Sequence, residues 1–117
     1  MRLTFVETPV FTARWARRLN DESLRSLQVF LLDHLEAGDM MRGCGLLRKL
    51  RYGDPTRGKG KRGGVRVVYM YTPQAARVDL ITVYGKDEKD DLDAQELRLL
   101  CQLARSMRNE IIARLFG

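Results

Sequence analysis

The sequence predicts an α+β fold in the order β-α-α-β-β-β-α, and three observations predict it. Between residues 9 and 36, apolar side chains recur at helical spacing in two separate stripes. Between residues 46 and 84, one alternating run and two dense β-branched and aromatic runs read as strands. From Asp93 onward, a capping pattern opens a third helical stripe. The layer arrangement that buries all of these is a small, mostly antiparallel sheet, with an N-terminal helical hairpin on one face and a C-terminal helix.

At 117 residues and 44% apolar content, residues 1–117 are expected to form a single domain with one core. Leu3 to Val6 has the composition of a short strand. Thr8 and Pro9 supply an N-cap and a proline at the first helical position. Phe11, Trp15 and Leu19 recur every four residues, so a first helix is expected from Pro9 to about Leu19. Arg14, Arg17 and Arg18 lie off that stripe and read as a solvated face.

Asn20 and Asp21 begin a second helix. Leu24, Leu27, Leu31 and Leu35 form its stripe, which Phe30 widens, and Gly38 is expected to stop it after about Glu36. The one histidine, His34, falls near its end and reads as a cap-side or solvent-facing residue. Leu46 to Arg51 alternates, placing Leu46, Arg48 and Leu50 on one face and Leu47, Lys49 and Arg51 on the other. Val65 to Tyr71 is a strand, Thr72 to Ala76 a turn, and Val78 to Tyr84 a strand expected to be covered on both faces. Tyr69 and Tyr71 read as packing residues. Asp93 and Glu96 are spaced as a capping box, and Leu92 and Leu97 as a hydrophobic staple. Leu97, Leu100, Ala104, Met107, Ile111 and Leu115 make the buried stripe of the last helix.

Charge is concentrated in one place. Arg42, Arg48, Lys49, Arg51, Arg57, Lys59, Lys61, Arg62 and Arg66 fall within residues 42–66, where Asp54 is the one acid. That segment carries +8 against +6 for the whole chain, so all other residues together sum to −2. A local basic segment with interleaved glycines suits a polyanion: glycine lets the backbone approach closely, and the cations neutralise phosphate. The plain alternative is a soluble, charged hairpin tip.

Three phosphate motifs match this segment on paper and fail in context. Gly53 to Lys59 has P-loop spacing, but Gly60 stands where Ser or Thr must hold magnesium. Gly58, Gly60 and Gly63 spell a dinucleotide fingerprint, yet a strand follows rather than a helix. The same glycines before Val65 resemble a kinase glycine loop, but the chain has no catalytic-loop or DFG segment. With one histidine and two cysteines at no ligand spacing, neither a zinc site nor a metal of any other kind is expected, and no cofactor. Cys44 and Cys101 are expected to be reduced thiols in the cytoplasm, because no export signal precedes them. No run of about 18 apolar residues suggests a membrane span.

Taken together, Leu46 to Arg51, Gly58 to Tyr69 and Tyr84 to Leu92 resemble the RelE/HigB toxins of bacterial type II toxin–antitoxin pairs. The resemblance spans nearly the whole chain and implies a RelE-like fold. It implies a ribosome-dependent mRNA endoribonuclease that cleaves in the ribosomal A site through 2′-OH attack on the adjacent phosphate. The implied partners are mRNA, the ribosome and a cognate antitoxin, with DNA reached only indirectly through the antitoxin complex.

On that resemblance Arg66 matches the arginine that contacts the reacting phosphate. Lys49 and Arg51 match basic positions of the preceding strand, and Lys86 the lysine after the last strand. Asp87 stands where some members carry a second arginine. Lys49, expected among like charges, is a candidate proton shuttle; Tyr84 and Glu88 are further candidates. Arg48, Arg57, Lys59, Lys61 and Arg62 are expected to bind RNA. The rivals from other classes are a non-catalytic RNA- or ribosome-binding module and, behind it, a DNA-binding regulator.

Overall fold

A computed structural model describes residues 2–53, 64–89 and 91–117. The chain opens with β1 (Thr4–Glu7) and turns at once into α1 (Pro9–Arg18). Thr8 makes that turn: its side chain accepts from the Phe11 N–H at 3.0 Å and donates to the Ile81 carbonyl at 2.7 Å. Asn20 then caps α2 (Asp21–Asp33), accepting from the Ser23 N–H at 2.8 Å. The predicted helical hairpin is therefore present, with both of its predicted caps.

The second helix stops three residues earlier than expected. His34 is its C-cap, exposed and tilted against Phe30 with ring centroids 4.6 Å apart. The reason lies in the sheet. Tyr69 donates its hydroxyl to the Leu35 carbonyl at 3.0 Å and accepts the Gly38 N–H at 3.1 Å, drawing residues 35–38 onto the sheet. Gly38 is needed for that close approach rather than as a helix stop, since a Cβ there would lie 3.0 Å from the Lys49 carbonyl and from the Tyr69 ring.

Next comes a short strand the sequence did not signal, β2 (Asp39–Met41). It pairs antiparallel with β3 (Cys44–Tyr52) through a turn in which Gly43 takes φ +91°. β4 (Val65–Thr72) and β5 (Arg77–Gly85) follow, joined by a single 3-10 turn at Pro73–Ala75. The sheet order is β1-β5-β4-β3-β2, antiparallel except that β1 runs parallel to β5. The expected α+β, mostly antiparallel architecture is thus observed.

Each face of the sheet has its own core. Phe11, Trp15, Leu27 and Leu31 of the hairpin pack against Leu50, Val67, Tyr69 and Leu80. On the opposite face α3 (Ala94–Phe116) lays Cys101, Ala104 and Ile111 against Leu47, Val68, Met70 and Ile81. The Asp93–Glu96 capping box forms as predicted. Leu115 does not join the core: the last turn of α3 runs past the sheet, and Leu115 is 46% exposed.

The two cysteines correct the expectation of free thiols. Cys44 at the start of β3 and Cys101 in α3 form a disulfide, with Cα atoms 5.8 Å apart. Packing α3 on β3 brings together two side chains that are 57 residues apart in sequence.

A register shift in the β4–β5 ladder decides which face Tyr84 takes. Val68 pairs with Thr82, but Tyr69 pairs with Leu80, so Ile81 is an extra residue in β5. Val78 and Leu80 face the hairpin; beyond the bulge Val83 faces it and Tyr84 faces α3. Strict alternation would have sent Tyr84 to the hairpin side. The bulge re-aims it.

Candidate functional site

Ladder register builds the site. Arg51 of β3 lies opposite Arg66 of β4, and Arg66 lies opposite Tyr84 of β5. Residues paired across strands share a face, and Lys49, two before Arg51, shares it too. Lys49, Arg51, Arg66 and Tyr84 therefore converge on the α3 face of the sheet. Arg48 takes the other face, where its guanidinium donates to the carbonyls of Gly38 at 2.8 Å and Glu36 at 3.3 Å. It braces the link between α2 and β2.

Arg66 is the anomalous member. It is 5% exposed, and among the described residues its buried Nη1 has no hydrogen-bond partner. It also makes no ion pair among them, and Arg51 stands directly opposite. Arg77, by contrast, donates to both oxygens of the buried Asp79 carboxylate. Arg77 shows how this fold treats a structural arginine. A buried guanidinium with an unused donor is costly unless an anion serves it.

Asp91 spans the site. Its Oδ2 accepts from Lys49 Nζ at 3.0 Å, and its Oδ1 accepts from the Tyr84 hydroxyl at 3.2 Å and the Leu92 N–H at 2.9 Å. Lys49 thus has an opposite charge as its nearest neighbour, contrary to the like-charge surroundings expected from sequence. Partial burial works to raise the Asp91 carboxyl, but the hydrogen bonds from Lys49 and Leu92 outweigh it and hold the group below its ordinary value.

Tyr84 is fully buried, and burial, followed by the nearby Asp91 charge, pushes its phenol well above the ordinary tyrosine value despite the opposing Arg66 charge. At neutral pH it is a hydrogen-bond donor, not a base. Lys89 stacks its ammonium 5.9 Å from the Tyr84 ring centroid and pairs with Glu96 at 2.6 Å.

The remaining sequence candidates are distributed differently. Lys86 is exposed in the turn just past β5, one residue beyond the Val65–Gly85 pair that ends the ladder near Arg66. Glu88 is drawn to the edge of α1, where it pairs with Arg18 at 2.8 Å and Arg14 at 3.7 Å; Asp87 pairs with Arg18 at 3.0 Å. Arg14 and Arg18 are therefore not merely a solvated helix face. Arg57, Lys59, Lys61 and Arg62 lie outside the described residues. Sequence reading missed Asp91 altogether, because nothing local distinguishes it from the other acids between Asp87 and Asp93.

Two concavities flank the cluster. Thr82, Tyr84, Leu92 and Glu96, with Val10 and Arg14 of α1, line a cavity of about 160 Å³. On the other side, Ala37, Asp39, Lys49, Leu50 and Arg51 line an open groove of about 400 Å³. Lys49 is where the β2–β3 pairing ends, so the groove follows the free edge of β3. Among the described residues no cluster of His, Cys, Asp and Glu could hold a metal ion, and no helix is long and apolar enough to cross a membrane.

No protein-family model matches the sequence. Solved structures do match the fold. The crystal structure of the intact E. coli RelBE toxin–antitoxin complex contains a chain 22% identical, at a TM-score of 0.51, covering 70% of this chain and 94% of that one. A free-state E. coli RelE variant with two arginines changed to alanine is 20% identical at a TM-score of 0.52, covering 77% and 90%. The isolated E. coli RelE toxin is 20% identical at a TM-score of 0.50, covering 87% and 99%. The fold is RelE-like, as the sequence resemblance implied.

Proposed function

We propose that this protein is a RelE-type toxin, acting in the cytoplasm as a ribosome-dependent mRNA endoribonuclease and neutralised by a cognate antitoxin. The observation that carries this reading is Arg66, a nearly buried arginine with a donor unused among the described residues, set in a row with Arg51 and beside Lys49. That row presents positive charge and directed N–H groups where a phosphodiester can lie. The RelE-like fold supports the toxin class, and the solved RelBE complex supports an antitoxin partner.

The chemistry follows from the cluster. The RNA 2′-hydroxyl gives up its proton to solvent as its oxygen attacks the adjacent phosphorus, the bond to the 5′-oxygen breaks, and a 2′,3′-cyclic phosphate remains. Arg66 and Arg51 neutralise the charge that grows on the phosphorane oxygens, often the largest single catalytic contribution. Lys49, with three donors, supplies the proton that the departing 5′-oxygen requires. The ribosome contributes the in-line geometry that a set without histidine does not impose.

The test is a cell-free translation mixture read for cut message. Wild-type protein is expected to cut it, and Arg66→Ala to leave it intact while remaining folded and antitoxin-bound. One observation favours the rival, a non-catalytic ribosome-binding module: the site's tyrosine is buried and tied to Asp91. Translation arrest with the message intact would establish that rival.

A further inference from the structure

Lys49 is a flexible ammonium on a four-carbon stem, and nothing in strand β3 alone fixes where its charge lies. Asp91 does. Its carboxylate sits between the strands on either side of β4, taking Lys49 from β3 on one oxygen and Tyr84 from β5 on the other. The Leu92 N–H holds the same carboxylate from the start of the α3 cap. The Tyr84 hydroxyl, on a fully buried ring, is an immobile anchor. The Asp91 contact uses one of the three Lys49 ammonium donors, and among the described residues the other two are left for a ligand. The Asp91 side chain itself is 58% exposed, so it stands at the mouth of the cluster rather than under it.

We infer that Asp91 is a positioning residue for the proposed RNA cleavage: anchored by Tyr84, it holds the Lys49 ammonium against the scissile phosphate carried by Arg66 and Arg51. Tyr84 then acts through Asp91 and does not touch the substrate. The arrangement follows the logic of an active group oriented by a third residue. It assigns a task to a tyrosine and an aspartate that charge counting would overlook or set against each other. The inference rests on the endoribonuclease reading, and the experiment separates the two.

The decisive variant is Asp91→Asn. It keeps an oxygen for the Tyr84 hydroxyl and the Leu92 N–H, but it turns an amide toward Lys49 and removes the charge that holds the ammonium. Single-turnover cleavage of ribosome-bound message is measured at the site wild-type protein cuts. At saturating protein the rate is expected to fall by about tenfold or more, with the half-saturating concentration changed by less than about threefold.

Because Asp91 works through Lys49, adding Asp91→Asn to Lys49→Ala is expected to change the rate no further. Tyr84→Phe is expected to slow cleavage in the same sense and by less. A full rate in Asp91→Asn would overturn the inference. So would an additional loss in the Lys49→Ala background, or a loss confined to binding. If wild-type protein leaves the message intact, the endoribonuclease reading falls and takes this inference with it. If wild-type cuts, Arg66→Ala does not, and Asp91→Asn cuts at the full rate, only the assignment of Asp91 falls.

Discussion

Replacing Arg66 with methionine should make the protein more stable while removing its activity. The side chain is 5% exposed, its Nη1 has no partner among the described residues, and Arg51 lies directly opposite. Relieving one buried unsatisfied donor recovers about 1–3 kcal/mol. Removing a like charge across the ladder adds up to about 1 kcal/mol. Methionine keeps an apolar stem of similar length on the α3 face of β4, so little packing is lost. An unfolding entropy of about 2.1 cal/mol/K per residue makes 2 kcal/mol worth about 8 °C in a chain of 117 residues.

The assay is thermal unfolding with and without inorganic phosphate. Wild-type protein should gain stability from the anion, by about 1.4 kcal/mol at ten times its dissociation constant, and the variant should gain little. A lower melting temperature for Arg66→Met would refute the reasoning. It would mean that the folded protein satisfies the guanidinium internally and that Arg66 is a structural arginine like Arg77. An identical phosphate response in both proteins would remove Arg66 from the anion site.

Tyr69→Phe strands the Gly38 N–H and the Leu35 carbonyl, and is expected to cost about 2–4 kcal/mol in denaturant unfolding, with the loosening centred on residues 35–38. Cys101→Ser opens a loop closed across 57 residues and should lower stability by up to about 4 kcal/mol, read as a fall in the urea midpoint with a steeper slope from the less compact unfolded chain. The depressed carboxyl of Asp91 gives a pH signature. Its contribution is present above the unfolded carboxylate value, near pH 4, and is lost as pH falls through the lower folded value. The stability gap between wild-type protein and Asp91→Asn, followed by thermal unfolding, should therefore close on acidification below about pH 4. A gap that widened there would contradict the Lys49–Asp91 pairing.

Local signals carried much of the architecture. Thr8, Asn20 and the Asp93–Glu96 pair announced three helix starts, and all three form, because capping is decided within four residues. The strands around Arg66 were legible for a similar reason: β-branched and aromatic density is a property of the segment itself. What failed depended on distant partners. The second helix ends early because Tyr69, more than thirty residues later, competes for Leu35 and Gly38. β2 was invisible because Asp39, Met40 and Met41 have no strand signature, and it exists through its pairing with β3. The disulfide needed the packing of α3 on β3.

The sequence by itself determined that there is a local block of positive charge, that a RelE-like α+β sheet carries it, and that Lys49, Arg51 and Arg66 sit on its strands. Only the tertiary structure decided which of those cations is unsatisfied. Ladder register set Arg51, Arg66 and Tyr84 in one row, and the bulge at Ile81 turned Tyr84 to their face. The fold of the loop before α3 brought Asp91 to Lys49, across 42 residues. Composition fixes how much charge a chain has. The pairing of that charge depends on register and packing, and among the described residues they left the Arg66 Nη1 without a hydrogen-bond partner.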